Sequence, residues 1–359
     1  MAETIHFTEA FRKALADYFS LKSVTEDAFN HKLDAEFTGS DMVHILEIAT
    51  TPLNKYDKGK NPATGSRFGT PNEVGDYRYS FKLTQDVSFD RTVDRGNNDA
   101  QDFIKKSAAI FKAYTDKEIR PFKDKYRLKK WCAEAGIHVA LTAAPTKNTI
   151  AEQVLDLHSA MIDAGVPDDT GTLFISRTYL KALKLAPEWV ELDSLGGKSV
   201  PSGKIKTFDG LVVRPVSSRV FPENCYFAIM VKDSIISPEK INLMRGIKDS
   251  ENMDGDRVQY RSKFDAFVMP SLADGVAVAC KAGTVTATPT VAISGGYATV
   301  TSTEGVVYYT LDGSDPRYSS AEAKVYSAKV AVAPGDIFRC CAKADGKFQS
   351  AATYDEVTA

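Results

Sequence analysis

Histidine is the side chain best suited to acid–base or metal chemistry near neutral pH. The five here, His6, His31, His44, His138 and His158, are scattered, with no two at ligand-like spacing and no H-E-x-x-H. Five cysteines are present, Cys132, Cys225, Cys280, Cys340 and Cys341, and the only close pair is adjacent. Without a C-x-x-C, neither a zinc knuckle nor a thioredoxin-like redox pair is indicated. Reduced thiols used as small apolar side chains fit the pattern. Gly197-Lys198-Ser199 has the ending of a phosphate-binding loop, but Leu192 stands where its first glycine belongs. G-x-G-x-x-G and G-x-S-x-G are also absent. Carboxylates are plentiful, but no spacing pairs them. The expectation is a chain with no catalytic residue, no cofactor and no metal.

What remains is ionic chemistry. Arg91, Asp94 and Arg95 fall where a strand gives way to a helix, as a charged hinge would. With Arg67, Lys105 and Lys106 they make the candidate intersubunit or hinge set. The whole chain is balanced, with 45 basic and 47 acidic side chains and a net charge of -2. A dedicated nucleic-acid binder shows a strong basic excess instead. The balance does not hold locally. Residues 1–40 carry four basic and seven acidic side chains, whereas residues 103–130 carry ten basic and three acidic. The basic stretch is either a solvated face or a surface for an anionic partner, such as an acidic arm, a neighbouring subunit or nucleic acid.

The elements that must position these charges follow from periodicity. The 359 residues, 43% hydrophobic and 26% charged, suggest two or three folded domains. No apolar run approaches the roughly 18 residues needed to span a bilayer. The opening MAETIHFTEAFRKAL lacks an apolar signal core. Thr8 suits the cap of a short amphipathic helix carrying Phe7, Phe11, Leu15 and Phe19, so residues 1–40 read as an arm. Strands are predicted at Met42 to Ala49 and at Arg78 to Asp90, joined by a polar stretch with three prolines and four glycines. That is a long β-hairpin, poorly stable alone, and it needs another surface to rest on. Asn97, Asn98 and Asp99 offer N-cap chemistry for a helix of about 40 residues, on the order of 60 Å, which Pro121 should kink and Gly136 should end.

The middle third alternates. A strand near His138 to Leu141, a helix at about Asn148 to Ala164, a strand at Thr172 to Ser176 and a helix at Arg177 to Leu185 precede a Gly/Ser-rich loop. Strands recur at LVVRPV, CYFAIMV, INLMRGI, VQYRSKFDAFVM and GVAVAC, an α+β body whose sheet is finished late in the chain. From about Gly283 the composition shifts to Thr, Val, Ala, Gly and Ser. Short strands there, with turns at Asp312-Gly313 and Pro334-Gly335, read as a small β-sandwich.

The run YSFKLTQDVSFDRTVDRGNNDAQDFIKKSAAIFKAYTDKEIRPFKDKYRLKKWCAEAG resembles the core of tailed-bacteriophage major capsid proteins with the Hong Kong 97 type fold. The hairpin's Phe89-Asp90-Arg91, followed by Asp94 and Arg95, matches the family's extended loop where it meets the spine helix. Pro121, Asp124, Tyr126 and Arg127 occupy the proline-carboxylate segment, although the family more often shows Pro-Glu-x-Asp there. TGTLFISRTYLKALK and the run from Phe208 to Ile247 look like the axial domain and the returning peripheral strands. The resemblance covers roughly residues 40–280. A second run, from Val306 to Ser350, is similar to the immunoglobulin-like domain at the C-terminus of chitobiase-type hexosaminidases. Its signature is Tyr309-Thr310-Leu311-Asp312-Gly313-Ser314-Asp315-Pro316, where Asp and Ser side chains can bond free turn amides.

These resemblances imply an arm (1–40), an extended loop (41–95), a capsid body with spine helix, axial domain and peripheral strands (96–283), and an outward-projecting immunoglobulin-like sandwich (284–359). They imply a structural shell protein, not an enzyme, that forms hexamers and pentamers of an icosahedral head around double-stranded DNA. Expected partners are further copies of the chain, a separate scaffolding protein, a portal, and DNA on the inner face without sequence specificity. Assembly would occur in the bacterial cytoplasm, with no membrane. The last domain would contact glycans weakly, with Tyr308, Tyr318 and Phe338 as candidate aromatics, although a place in the core is the favoured reading of these rings. The alternatives are a tail or surface-adhesion protein and a glycan-active enzyme with an accessory sandwich.

Overall fold

The computed structural model describes residues 22–31, 41–49, 55–61, 65–69, 73–99, 107–168, 170–187, 207–249, 251 and 253–357. The helix expected at Thr8, the Gly197–Ser199 loop, Lys105 and Lys106 lie outside these residues.

The chain begins with β1 (Met42–Ile48), β2 (Asp76–Lys82) and β3 (Gln85–Asp94). Next come α1 (Arg95–Asp99), α2 (Ser107–Tyr114), a π-helical turn at Thr115–Ile119 and α3 (Arg120–Ala133). An alternating stretch follows, with β4 (Ile137–Leu141), α4 (Ile150–Asp163), β5 (Gly171–Ser176) and α5 (Arg177–Lys184). Strands then dominate: β6 (Thr207–Phe208), β7 (Leu211–Val216), β8 (Cys225–Val231), β9 (Ile235–Ile236), β10 (Glu239–Ile247), β11 (Gly255–Phe264), β12 (Phe267–Val268) and β13 (Val276–Lys281). The C-terminal strands are β14 (Thr290–Ser294), β15 (Tyr297–Thr301), β16 (Val306–Thr310), β17 (Lys324–Val325), β18 (Val330–Ala331), β19 (Ile337–Lys343) and β20 (Thr353–Glu356).

The chain divides into two compact units. One gathers the described residues of Lys82–Val285 with those before Met42 and a short return at Gly346–Phe348. The other gathers Met42–Phe81 with Thr286–Asp345 and Gln349 onward.

The first unit is built on a six-stranded mixed sheet in the order β4-β13-β8-β5-β7-β6. Its central strands are buried along nearly their whole length, at Phe227–Met230 and Val276–Cys280, because both faces are covered. On one face α4 and α5 lay Val154, Leu157, Met161, Leu180 and Leu183 against Leu173, Ile175, Phe227 and Ala279. The spacing of those helical residues is the one that gathers a single apolar stripe. α3 packs on β13, and its Trp131, fully buried, donates its indole N–H to the Ile236 carbonyl at 3.2 Å. A separate antiparallel sheet, β10-β11-β3, carries the charged residues of interest.

One expectation is corrected. The strand predicted from Arg78 to Asp90 is two strands, broken at Leu83–Thr84. There the fully buried Asp265 carboxylate accepts both the Thr84 amide (2.9 Å) and the Thr84 hydroxyl (2.7 Å), which turns the chain onto β11. The helix is not one regular rod, as Pro121 implied. Its widened π turn at Thr115–Ile119 precedes Pro121, which sits in the first turn of α3. A proline in a continuous helix loses a hydrogen bond and clashes one turn back, and the wider turn accommodates it.

In the second unit, two antiparallel sheets, β14-β15-β18 and β17-β16-β19-β20, share a core of Ala298, Val300, Val307, Phe338, Cys340 and Ala342. Alternation along β15 buries Ala298 and Val300 and exposes their neighbours. The hairpin of β1 and β2 belongs to this unit. Tyr79 bridges to Ser320, the Ser80 amide donates to the Ser319 carbonyl at 3.0 Å, and the Ala321 amide donates to the Arg78 carbonyl at 3.2 Å. The surface that the hairpin needs is thus supplied by the β16–β17 connection of its own chain.

Candidate intersubunit site

β3 runs antiparallel to β11, with Phe89 opposite Tyr260, Arg91 opposite Val258 and Asp94 opposite Gly255. The strand period divides its side chains between two faces. On one, Phe89 stacks between Tyr114 of α2, at 4.5 Å, and Tyr260, at 5.5 Å. Arg91 donates from Nε to the Tyr114 hydroxyl at 2.8 Å. Between this face and the helix lies a cavity of about 700 Å³, lined among others by Phe89, Arg91, Tyr114, Lys117, Phe122 and Tyr260. On the other face acids meet arginines diagonally across the ladder. Asp86 accepts from Arg261 (2.8 Å), and Asp90 accepts from Arg257 and from Gln259 (2.7 Å). Those hydrogen bonds hold both carboxyls below their ordinary value.

Arg95 turns elsewhere. Its amide donates to the Asp254 carbonyl at 2.8 Å, and its half-exposed guanidinium pairs with Asp249 and, at 3.2 Å, with Asp254. Arg91 and Arg95 therefore flank the end of β3 on different neighbours, one against α2 and one against the β10–β11 connection. Asp94 is exposed beside Gly255, whose absent side chain admits the neighbouring strand. A Cβ there would lie 2.1 Å from the Val93 carbonyl oxygen. Arg67 lies in the hairpin tip of the other unit, where its Nε donates to the Lys60 carbonyl at 2.9 Å.

Several charged residues whose spacing alone signals nothing tie the first unit together. Asp41 is bonded by Lys240 and Lys263, and those bonds hold it down to about 2. Asp124, on α3, accepts from the Ser23 and Thr25 hydroxyls, both at 2.6 Å, and from the Val24 amide. Arg127 pairs with Glu26 at 2.6 Å and lies over the Phe29 ring at 4.6 Å. Residues 23–29 of the arm are thereby fastened to the helix of their own chain. These partners lie about a hundred residues or more apart, so only the fold brings them together.

The turn motif of the second unit is a buried electrostatic network. Asp312 accepts from the Ser314 amide (3.0 Å) and hydroxyl (2.7 Å). Gly313 has a φ of +85°, the left-handed conformation that favours glycine. Asp315 is buried, accepts from Arg317 and Arg339 at 2.8 and 3.0 Å, and its amide donates to the Tyr79 hydroxyl at 3.2 Å. Burial raises this carboxyl, but the Arg317 charge and hydrogen bonds, with Arg339, outweigh that and leave it lowered. Pro316 is buried beside it, and Tyr309 stacks on Phe338 at 5.6 Å. Phe338 and Tyr318 are buried, the core role favoured for them over glycan contact, and their rings fill the unit's interior. All five cysteines are free and buried.

No protein-family model matches the chain, and no curated protein matches it. Solved structures do. One is the capsid structure of cyanophage P-SCSP1u, with a TM-score of 0.63 and 10% identity, matched over 77% of this chain and 93% of that one. The fold is that of phage capsid chains. Bacteriophage PhiM1 supplies another, from its mature capsid, with a TM-score of 0.57, 11% identity and coverage of 77% and 92%. A chain of Mycobacterium phage Che8 matches with a TM-score of 0.55, 16% identity and coverage of 76% and 96%. The match thus spans nearly the whole of each neighbour and leaves about a quarter of this chain outside it.

Proposed function

We propose that this chain is a phage major capsid protein, a structural subunit that tiles an icosahedral shell. The observation that carries the reading is the capsid fold, shared over more than nine-tenths of the neighbouring chains. The β10-β11-β3 sheet with the helix beside it would be the peripheral domain and spine of the Hong Kong 97 type, and the six-stranded sheet with α4 and α5 the axial domain. β1 and β2 would be the extended loop. The uncovered quarter of the chain is about the size of residues 284–359, which we assign to an immunoglobulin-like domain on the outer surface. Hexamers and pentamers would form through contacts that include Arg91, Asp94, Arg95, Arg67, Lys105 and Lys106. A scaffolding protein and a portal would assist assembly in the host cytoplasm, and DNA would meet the inner face without sequence specificity.

Expression of the full chain in bacteria with its scaffolding partner, followed by electron microscopy, tests the reading. Closed shells of hexamers and pentamers are expected, and in the phage particle this chain should be the most abundant polypeptide. A chain that stays monomeric at high concentration with that partner present, or that occurs in a few copies per particle, refutes it.

A further inference from the structure

Cys132, Cys225 and Cys280 are far apart in the chain, yet α3, β8 and β13 bring them together. The pairing of β8 with β13 runs in register to Ala279 opposite Phe227 and then jumps to Cys280 opposite Cys225. Tyr226 is the extra residue of a β-bulge. In unbroken register Cys280 would face Tyr226, and Cys225 would point to the other side of the sheet. The bulge re-aims one side chain so that two thiols oppose each other directly. Directly opposed antiparallel residues have Cα atoms about 4.5–5.5 Å apart, within the roughly 4.4–6.8 Å that a disulfide spans.

The three thiols are not equivalent. The neighbouring Cys132 and Cys280 thiols, with the nearby His138, lower Cys225 in spite of its burial. The Cys225 sulfur beside them, with burial, pushes Cys132 and Cys280 up. Access differs in the same sense. Cys225 lines a cavity of about 310 Å³ beside Ser176, Tyr179, Asn224 and Lys281, and keeps 7% exposure, whereas Cys132 and Cys280 have none. Exchange with a disulfide requires a thiolate that the reagent can reach.

We propose that Cys225 is a thiol–disulfide exchange site, and that a small-molecule disulfide converts it with Cys280 into a cross-strand disulfide joining β8 to β13. The Cys225 thiolate attacks one sulfur of the reagent, forms a mixed disulfide and releases one reagent thiolate. Cys280 then loses its proton to that thiolate, attacks the Cys225 sulfur and displaces the second. The protein loses two hydrogens, and the reagent is reduced to two thiols. Cys132 neighbours the reacting sulfur and is not consumed. This inference stands on the first unit alone and does not depend on the capsid reading.

The purified full chain, incubated with oxidised glutathione at neutral pH, quenched in denaturant with an alkylating agent and mapped by mass spectrometry, tests it. Glutathione should appear first on Cys225, at least about tenfold faster than on Cys340. It should then give way to a linked Cys225–Cys280 peptide pair. Cys280→Ser should stop the reaction at the Cys225 adduct. The order of modification in the unaltered chain needs no variant. Cys225 reacting no faster than Cys340, or a linked pair that omits Cys225 or Cys280, overturns the proposal.

Discussion

Asp315 is the residue whose loss should damage the second unit most. Its carboxylate is 3% exposed, and it accepts the Arg317 amide at 2.9 Å and two guanidinium groups at 2.8 and 3.0 Å. Asp315→Asn keeps the shape and removes the charge, so it opens no cavity. It removes the anion that Arg317, itself 8% exposed, pairs with at 2.8 Å. Breaking a buried pair from one side costs about 3–5 kcal/mol, because the remaining charge is uncompensated. Removing Arg317 as well should therefore recover much of the loss. The Arg339 side chain that remains is a quarter exposed and can be hydrated.

Hydrogen exchange on the full chain measures this locally, which matters because two units need not unfold as one. A loss of about 3 kcal/mol is on the order of a hundred-fold faster exchange. It should appear in β16 and β19, while β5 and β8 of the other unit stay protected. Asp315→Asn with Arg317→Met should fall between wild type and the single variant. The pH dependence has a defined sign. Asp315 is lowered from its ordinary 3.8, so its contribution is full above that value and is lost as pH falls through the lower folded value. The Asn variant should lack that acid-dependent component. Exchange in β16 and β19 within about fivefold of wild type, or a double variant weaker than the single, refutes the reasoning.

Other substitutions probe the first unit. Gly255→Ala forces a methyl group to within 2.1 Å of the Val93 carbonyl oxygen, and should cost about 1–3 kcal/mol as β11 parts from β3. An unchanged urea midpoint would contradict the close approach. Asp265→Ala leaves Thr84 and Tyr126 without their shared acceptor, and a loss of about 2–3 kcal/mol is expected by chemical denaturation. A loss under about 0.5 kcal/mol would show that the turn at Thr84 is held otherwise. Arg95→Glu meets Asp249 and Asp254 on an exposed surface, so folding should change by less than about 1 kcal/mol. Shell yield should fall by far more, and equal losses of folding and assembly would remove Arg95 from the hinge.

The elements with a strong local period were legible in the sequence. The α4 helix, expected at about Asn148 to Ala164, spans Ile150–Asp163, and the CYFAIMV and LVVRPV runs are β8 and β7. Local pattern failed where a distant residue decides the conformation. Nothing between Arg78 and Asp90 announces a break, because the carboxylate that makes it is Asp265. The two-residue β17 and the β20 strand have too little pattern of their own to be read. Of the candidate set, Arg91 and Arg95 could be located at the end of a strand from spacing alone. Their separate partners, Tyr114 and the Asp249–Asp254 segment, depend on how β3 lies on β11 and on α2.

The composition shift near Gly283 invites a boundary there, but the second unit draws on two stretches of chain. Tyr79 shows why they are not separable. It is buried to 2%, its backbone bridges Ser320, and its hydroxyl accepts the amide of the same Asp315 that holds Arg317 and Arg339. Burial pushes the Tyr79 phenol upward, so the neutral hydroxyl is the form that completes the network. A segment starting at 284 would lose this ring and expose the face it covers. The hairpin in turn would lose the surface that makes two lone strands tolerable. Under the capsid reading, an extended loop and a surface domain share one buried electrostatic network. Disturbing Asp315 should therefore be felt in β1 and β2 as well as in β16 and β19, which distinguishes a shared unit from an appended domain.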